Sequence, residues 1–374
     1  MPIRVGLIGY GGVARSHVDD FEFFHPHKGD RSEHDPTAQI VAGCDIKPDA
    51  LQRFTERTGV TAVYDDYVEM MDEEDLDLIT LCTCADVRVE PVVEAARRGI
   101  HVLCEKPMAC DVAECDEMIR ACEQAGVQLV ISHQRRSDPY LWHVKRLIDD
   151  GLIGDLWFIR GSGKKDRGGR QLHNIGTHLL DCIGIFAGEA EWVHGHCTVD
   201  GRECTAQDAE PGDRGAGLVL GDRVTVHVWY RGGAEAILDF GLQPRRFSWE
   251  LIGTEGRLAE GEDRRLWHYP HPTWEPAADA SQWRQIEMPD EAIPTDSGYV
   301  NPADANDVMR RRGVYSRVFM LRELFWRMEV GGQHTSSGKV GARPMEVIQG
   351  TFASHLKAAR QSLPLKERRS PLRK

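Results

Sequence analysis

The chain has 374 residues and a formal net charge of −13 at pH 7, and this length allows two separate hydrophobic cores. Hydrophobic residues make up 41% and charged residues 28% of the chain, which is ordinary for a globular protein. The acidic balance argues against general binding to nucleic acids or to anionic membrane surfaces, and no apolar run is long enough to span a bilayer.

Short apolar runs alternate with amphipathic stretches over the first third of the chain. The apolar runs predict strands over Ile3–Ile8, Gln39–Cys44, Leu76–Leu81, Ile100–Cys104 and Gln128–Ser132. The amphipathic stretches predict helices over Val13–Phe24, Asp49–Thr58, Val89–Arg98 and Val112–Ala125, the last capped by Asp111. This alternation predicts an α/β, doubly wound Rossmann domain over residues 1–134. We interpret the polar segment His25–Pro36 as a surface insertion.

From residue 135 onwards the pattern changes, and strands follow one another by turns. Helices are predicted over Tyr140–Asp150, from Gly176, over Tyr315–Glu329 and over Met345–Ser362, and strands over Leu156–Gly163, Thr225–Tyr230, Glu235–Gly241 and Ser248–Gly253. We expect residues 135–374 to form an α+β domain for substrate binding and oligomerisation, with a large, mostly antiparallel open sheet. Its closing C-terminal segment could instead pack back on the first domain.

The beginning of the chain and its cysteines indicate a cytoplasmic protein. The first strand pattern starts at Ile3, which leaves no room for a signal peptide. Several of the ten cysteines lie inside apolar runs, so we expect buried, reduced thiols. Cys82 and Cys84 form a C-x-C pair, but no second pair follows at zinc-like spacing, and no metal site is predicted.

A glycine-rich turn directly follows the first predicted strand and precedes the first helix. Gly9, Gly11 and Ala14 match the G-x-G-x-x-A pattern. Gly9 permits a tight turn, Gly11 allows the backbone to approach a pyrophosphate, and Ala14 allows the helix to pack closely. Because strand, glycines and helix occur in the required order, the turn predicts a dinucleotide site rather than a turn without a ligand.

Asp45 ends the second predicted strand, where an acid can bind the ribose hydroxyls of NAD and repel the additional phosphate of NADP. It lies further from the glycines than usual, and the His25–Pro36 insertion accounts for the difference. NAD is therefore the predicted cofactor. NADP remains the less favoured alternative, because Lys47 could reach a phosphate.

A charged pair lies at the end of another predicted strand. Glu105, Lys106 and Pro107 follow the strand Ile100–Cys104 directly, and open α/β sheets bind their ligands at the carboxyl ends of parallel strands. A ligand site is therefore expected at Lys106. The alternative is a structural ion pair between Glu105 and Lys106.

Six stretches, in this order along the chain, resemble the Gfo/Idh/MocA family, which is named after glucose–fructose oxidoreductase, inositol dehydrogenase and rhizopine catabolism. They are VGLIGYGGVA at 5–14, GIHVLCEKPMA at 99–109, LIDDGLIGDL at 147–156, NIGTHLLD at 174–181, LIGTEGRL at 251–258 and LPLKERRSPL at 363–372. The resemblance implies an NAD(H)-dependent enzyme that transfers a hydride to or from a secondary hydroxyl of a sugar, polyol or sugar derivative. It also implies a homo-oligomer, a dimer or tetramer, packed through the open sheet.

The resemblance implies roles for individual residues as well. Lys106 would hydrogen-bond the reacting hydroxyl, and His178 would exchange its proton, although a histidine satisfied at a helix start is the alternative for His178. The chemistry needs both groups, because hydride leaves a carbinol carbon only as its oxygen loses a proton. The candidate cofactor-binding residues are Gly9, Gly11, Gly12, Val13, Ala14, Asp45, Ile46, Thr83, Glu105 and Lys106.

The chain departs from the family pattern at three positions. Asn174, our third candidate catalytic residue, stands where an aspartate is usual, and an amide can orient a hydroxyl but cannot ionise. Cys84 replaces a common proline, and Arg88 replaces a frequent histidine. These departures leave two alternatives for His178: it works without a carboxylate partner, or the site binds a different group.

Four cations lie within seven residues ahead of Asn174, on a loop that the family places beside the substrate. Arginine and lysine match carboxylate, sulfonate or phosphate groups, which favours an anionic sugar; surface ion pairs are the alternative. The candidate substrate-binding residues are Lys164, Lys165, Arg167, Arg170, His173, Asn174 and Gln134.

Tryptophans are concentrated in and after the strand-rich region. Five of the nine are Trp229, Trp249, Trp267, Trp274 and Trp283. We expect them to cover the sheet or a subunit interface, although such rings could also stack on a sugar. The long stretch Glu262–Pro302 is interpreted as an arm reaching over a neighbouring site.

Three functions fit these observations. The first is a dehydrogenase or reductase that exchanges NAD(H) in each turnover. The second is an NAD-dependent glycosidase that oxidises a sugar transiently, eliminates the aglycone, adds water and reduces the product; Asn174 and the cationic loop favour an acidic or sulfonated glycoside. The third is a non-catalytic NAD-binding sensor, which the presence of both Lys106 and His178 disfavours.

Overall fold

The computed structural model describes residues 1–27, 36–163, 167–241, 248–260, 265–271, 280–287 and 305–373. Two compact units divide the chain. The first comprises Met1–Ser137, Arg214–Ala216 and Ser316–Ala342, and the second comprises Asp138–Asp213, Gly217–Tyr315 and Arg343–Lys374. None of the helices in the described ranges is long and apolar enough to cross a membrane. Most of the predicted insertion His25–Pro36 lies outside the described residues, as do Lys164 and Lys165 and much of the predicted arm.

The first unit contains a parallel sheet of six strands. The strands are β1 (Ile3–Ile8), β2 (Ala38–Cys44), β3 (Val63–Tyr64), β4 (Leu78–Leu81), β5 (His101–Cys104) and β6 (Leu129–Ile131), in the order β3-β2-β1-β4-β5-β6. The helices between them are α1 (Ala14–Phe23), α2 (Pro48–Thr58), α3 (Tyr67–Glu73), α4 (Val89–Arg97) and α5 (Val112–Ala125). The order reverses between β1 and β4, which places the loops after these strands side by side at a topological switch point.

The second unit contains a ten-stranded, mostly antiparallel sheet. Its first helices in chain order are α6 (Pro139–Asp149), α7 (Gly168–Asn174) and α8 (Gly176–Ala187). The strands in chain order are β7 (Leu156–Ser162), β8 (Ala190–Val199), β9 (Arg202–Glu203), β10 (Glu210–Pro211), β11 (Leu218–Val219), β12 (Arg223–Tyr230), β13 (Glu235–Phe240), β14 (Ser248–Gly253), β15 (Arg257–Glu260), β16 (Leu266–Tyr269), β17 (Arg284–Ile286) and β18 (Gln361–Ser362); β10 and β11 form a separate hairpin. The predicted fold class is confirmed in both halves.

The two last helices differ from their predicted bounds. The helix predicted over Tyr315–Glu329 begins earlier and forms α9 (Ala305–Val330). Its later part supplies Leu321 and Phe325 to the core of the first unit, where Phe325 packs edge-on against Phe24 at 5.1 Å between ring centroids. The later part of α9 therefore belongs to the first unit, where it is buried against α1.

The final helix was predicted over Met345–Ser362, and both bounds were wrong. The helix α10 spans Gly338–Lys357, although it contains Pro344. Its first turns pack closely on β6, since a Cβ on Gly341 would come within 2.4 Å of Ile131. The helix ends because Ala358 adopts a left-handed conformation (φ +48°). Ser362 consequently belongs to β18, which pairs with β8 in the second unit.

Candidate functional site

The glycine turn after β1 combines a tight backbone turn at Gly9 with open backbone at the two glycines that follow. Gly9 adopts φ +87°, and a Cβ there would meet the Thr83 backbone nitrogen at 3.0 Å. Cβ atoms on Gly11 and Gly12 would meet no described atom within 4 Å, and the start of α1 at Val13 has no side-chain cap. Uncapped N–H groups beside open glycine backbone form a surface that can accept a pyrophosphate. Buried Ala14 lets α1 pack closely on the sheet.

Two glycine-to-alanine variants test the contribution of this turn to cofactor binding. Gly9→Ala is expected to raise the dissociation constant of NADH at least about tenfold, because the new methyl group must displace the backbone at Thr83. Gly59→Ala is the matched control, since Gly59 also has a positive φ (+75°) but no described atom near the position of its Cβ. Both variants carry the left-handed strain of about 1 kcal/mol. Fluorescence titration with NADH and thermal melting distinguish them; equal loss of affinity in both would contradict the assignment.

Asp45 connects the end of β2 to the glycine turn. Its Oδ2 accepts a hydrogen bond of 2.7 Å from the Tyr10 amide, and its Oδ1 accepts one of 2.9 Å from the Lys47 amide. These two amides fix the carboxylate at the edge of the sheet. The neighbouring Ile46 is 82% exposed, which is unusual for a large apolar side chain and leaves an apolar surface next to the carboxylate.

Glu105 lies inside the first unit instead of projecting to the surface. Its Oε1 is 2.9 Å from His17 Nε2, and its Oε2 accepts a 3.1 Å hydrogen bond from the backbone N–H of Lys106. The second ring nitrogen of His17 is 2.8 Å from Thr80 Oγ1. Burial disfavours the charged carboxylate, but His17, Arg88 and Lys106 outweigh burial and lower the pKa of Glu105 to about 2. The pKa of His17 is raised well above its ordinary value, and the two directions together favour an imidazolium paired with a carboxylate.

Arg88 holds two loops of the parallel sheet together. It is 4% exposed, and its guanidinium donates hydrogen bonds to the backbone carbonyls of Thr83, Glu105 and Pro107. The bond from Nη2 to Thr83 measures 2.6 Å. Thr83 follows β4 and Glu105 follows β5, so a single planar side chain fixes both loops beside Lys106. The sequence indicated Arg88 only as a departure from a family pattern, and this structural role was missed.

The candidate residues of the second unit lie on α7 and α8. Ile175, between these helices, keeps right-handed helical dihedrals (φ −88°, ψ −32°), so Asn174 and His178 are four residues apart on one helical face. His178 is 8% exposed and Asn174 half-buried. His173 is buried and packs edge-on against Phe352, and burial lowers its pKa to about 4. A neutral, buried His173 is better suited to packing than to the predicted substrate contact.

The predicted cationic loop lies beside acidic residues. Arg170 donates hydrogen bonds of 3.0 Å to both Glu210 and Asp213, while Arg167 is 60% exposed and reaches Glu210 at 3.4 Å. A cavity of about 500 Å³ opens here, and its described lining consists of Arg167, Arg170, Gln171, Asp213, Asp222, Arg223 and Gly241. Neither Asn174 nor His178 is among these lining residues. Gln134 belongs to a 3₁₀ turn of the first unit.

Comparison with known proteins identifies the first unit. Residues 3–133 match the family model described as an oxidoreductase family with an NAD-binding Rossmann fold, GFO_IDH_MocA. This stretch of the chain belongs to the Gfo/Idh/MocA family. The family predicted from the sequence is confirmed, as is the prediction of an NAD-type cofactor. The matching residues include the glycine turn, Asp45, Glu105 and Lys106.

The proteins to which the chain is similar include both redox enzymes and a hydratase. The chain is 28% identical over 158 residues to myo-inositol 2-dehydrogenase of Thermotoga maritima, covering 42% of this chain and 44% of that protein. It is 29% identical over 242 residues to 2,7-anhydro-N-acetylneuraminate hydratase of Mediterraneibacter gnavus, covering 59% and 60%. These alignments span less than two thirds of either relative. A solved levoglucosan dehydrogenase in complex with NADH and levoglucosan shares the fold, with a TM-score of 0.77, 18% identity and coverage of 97% and 100%.

Proposed function

We propose that the protein is an NAD(H)-dependent oxidoreductase that acts on a secondary hydroxyl of a sugar, polyol or sugar derivative. The observation that carries the proposal is the loop of Lys106, which Glu105 and Arg88 hold at the carboxyl end of β5 in a family of NAD-binding oxidoreductases. An ammonium group at that position can stabilise the negative charge that develops on an alcohol oxygen. The bound nicotinamide accepts or supplies the hydride.

The candidate cofactor residues have complementary chemistry for NAD. The open backbone of Gly11 and Gly12 and the uncapped start of α1 suit the pyrophosphate. Asp45 suits the ribose hydroxyls and disfavours the phosphate of NADP, and exposed Ile46 suits one face of the adenine. Thr83, Glu105 and Lys106 border the nicotinamide end, with Glu105 acting through the backbone of Lys106.

The reaction also needs a group that exchanges the proton of the hydroxyl. We assign this role to His178, because a histidine can take and return a proton near neutral pH. Asn174, one turn before it, can orient a substrate hydroxyl through its amide but cannot store a proton. A carboxylate at that position is therefore not required for the proposed chemistry.

The cavity beside Arg167 favours a substrate that carries an acidic group. The Arg170 side chain is already paired with two carboxylates. The side chain of Arg223 has no hydrogen-bond or ion-pair partner among the described residues, and the side chain of Arg167 is mostly exposed. These two guanidinium groups are available to a carboxylate, sulfonate or phosphate. The predicted contributions of Lys164 and Lys165 remain part of the same proposal.

Arg167→Ala is expected to discriminate between substrates. It should raise KM for an acidic sugar about tenfold, because one charge-assisted contact is lost, and leave KM for a neutral sugar nearly unchanged. Arg202→Ala is the matched control, since Arg202 is similarly exposed and pairs with Asp208 outside the cavity. Steady-state kinetics with a uronate and its neutral counterpart provide the measurement. Equal changes for both sugars would remove the acidic-substrate proposal.

The second candidate function is an NAD-dependent glycosidase. The similarity to a hydratase of an anhydro-sugar favours it, because that protein's name also describes addition of water to a sugar. Transient oxidation of a hydroxyl acidifies the adjacent carbon, which permits elimination of the aglycone before water is added and the product is reduced. The cycle consumes no net NAD. Lys106 and His178 would serve the same two roles in it.

One experiment separates the two candidates. Purified protein is incubated with NAD and a panel of free sugars and chromogenic glycosides, neutral and acidic, while NADH and aglycone are followed together. Sustained NADH formation with a free sugar supports the dehydrogenase. Aglycone release without net NADH supports the glycosidase, and no change in either signal over the panel would favour a non-catalytic sensor.

We further propose a cytoplasmic homo-oligomer, a dimer or tetramer, that forms through the open face of the large sheet. Trp192 on β8 and Trp229 on β12 are paired across the two strands, and their rings stack in parallel with centroids 6.2 Å apart. Their strand neighbours Val193 and Val228 are buried on the opposite face. Half-buried aromatic side chains on a broad sheet face are typical of subunit interfaces.

A further inference from the structure

The buried side chain of His17 contacts Glu105, the residue next to Lys106, and the proposed function gives it no role. His17 lies on the inner side of α1, one turn before Phe21, and its side chain is 2% exposed. An apolar residue would fill this position without the cost of burying a charge. Both ring nitrogens instead have oxygen partners, Glu105 Oε1 at 2.9 Å and Thr80 Oγ1 at 2.8 Å.

The geometry connects His17 to Lys106 through a single carboxylate. Glu105 uses one oxygen for His17 and the other for the backbone N–H of Lys106. The Glu105 carboxylate thus contacts both the His17 ring and the backbone of Lys106, the residue that carries the proposed ammonium group. Any change in the charge or orientation of Glu105 reaches Lys106 directly.

We propose that His17 is a positioning residue for Lys106, and that its imidazolium holds the Glu105 carboxylate so that the pair fixes the orientation and the charge of the lysine. The inference rests on the proposed function for the role of Lys106. With His17 protonated, Nε2–H donates to Glu105 and Nδ1–H donates to Thr80. The His17–Glu105 pair then has no net charge. The imidazolium therefore largely balances the attraction of the Glu105 carboxylate for the Lys106 ammonium group.

Charged and titratable groups from several neighbouring elements face the His17–Glu105 pair. Burial lowers the pKa of His17, but Cys82, which directly follows β4, and Glu105 outweigh burial and raise that pKa well above its ordinary value. Arg88, directly before α4, donates a hydrogen bond to the Glu105 carbonyl. Asp20 on α1 also faces His17 but is paired with Arg317 of α9 at 2.6 Å. Among these groups, Glu105 is the one that contacts both His17 and the backbone N–H of Lys106.

The test measures the ionisation of Lys106 without requiring turnover. The rate of acetylation of each lysine is followed against pH by mass spectrometry, with exposed Lys339 and Lys357 as internal references. His17→Gln keeps a hydrogen-bond donor but removes a positive charge, which favours the protonated lysine. The labelling midpoint of Lys106 is expected to rise by about one pH unit, while the reference lysines stay unchanged.

The double variant His17→Gln with Glu105→Gln is the matched control. It removes one charge of each sign and leaves two amides that can hydrogen-bond, so the Lys106 midpoint should return close to the wild-type value. In an active enzyme the basic limb of the kcat/KM profile should follow the same order. A lower Tm with unchanged midpoints in both variants would reduce His17 to a packing role and overturn the proposal.

A measurement on the unmodified protein keeps the proposal testable if the variants do not fold. In protein labelled with ¹⁵N-histidine, the His17 ring is expected to show the shifts of an imidazolium at about pH 8, where an ordinary histidine is neutral. A neutral ring would overturn the proposal. The proposed function can fail separately: shifted Lys106 midpoints in a protein that turns over no sugar would retain the positioning role and reject the enzyme activity.

Discussion

Lys106→Met is expected to lower kcat at least about 1000-fold, the largest effect predicted for any single side chain. Methionine preserves the length of the side chain but removes the charge that stabilises the reacting oxygen. The loop itself should stay in place, because the hydrogen bond from residue 106 to Glu105 uses the backbone N–H. NADH affinity, measured by fluorescence, should therefore change little while turnover disappears.

Two comparisons make this result interpretable. Lys47→Met removes an exposed lysine next to Asp45, the carboxylate proposed to bind the ribose of the cofactor. This variant should leave kcat near the wild-type value. Lys106→Arg keeps a positive charge on a bulkier, planar group and should recover only a small part of the activity. Turnover retained in Lys106→Met would disprove the assignment of this residue, whichever of the two enzyme functions applies.

The parallel half of the fold could be predicted because most residues of its longer strands are buried. All four residues of β4 are buried, and Val5 and Leu7 of β1 are fully buried, so apolar runs identify them. Two elements were missed. The strand β3 has only two residues, and α3 has seven. A capping signal for α3 was nevertheless present, since the Asp66 side chain accepts a hydrogen bond from the Val68 amide.

The pairing of the large sheet could not be predicted from local patterns. The strand β7 lies between β13 and β14, and it runs parallel to β13 with Phe158 opposite Glu235. This pairing joins strands that are far apart in the sequence. Alternation of buried and exposed residues identifies a strand and its two faces, but it contains no information about which distant strand becomes its neighbour.

In the candidate site as well, contacts between residues that are distant in the sequence could not be predicted. Gly9, Asp45 and Lys106 could be identified because each follows a strand in a recognisable local motif. The residues that hold them could not, since His17 contacts Glu105 from 88 positions away. A histidine on the buried face of α1 was the available signal, and its partner became visible only with the fold. The sequence thus indicated the groups proposed to touch ligands more completely than the groups that position them.

Arg88→Gln is the second large expected effect, and its main consequence is on stability. The substitution leaves the carbonyls of Thr83, Glu105 and Pro107 without their charged donor in a buried position. Charge-assisted hydrogen bonds of this kind contribute about 1.5–3 kcal/mol each, so a loss of about 3 kcal/mol of unfolding free energy is a conservative expectation. Denaturant unfolding provides the measurement. Arg97→Gln, on the same helix but 67% exposed, should change stability little.

The Arg88 substitution should also reduce turnover, because the loops after β4 and β5 lose their common support. Arg88→Lys separates charge from geometry. A lysine restores the positive charge but reaches one carbonyl group at a time, whereas the guanidinium fork reaches three. We expect Arg88→Lys to recover less than half of the lost stability and to retain a raised KM for the cofactor. If it behaved like the wild-type protein, local charge rather than the bridging geometry of Arg88 would organise the two loops, and the positions of Thr83 and Lys106 would need another explanation.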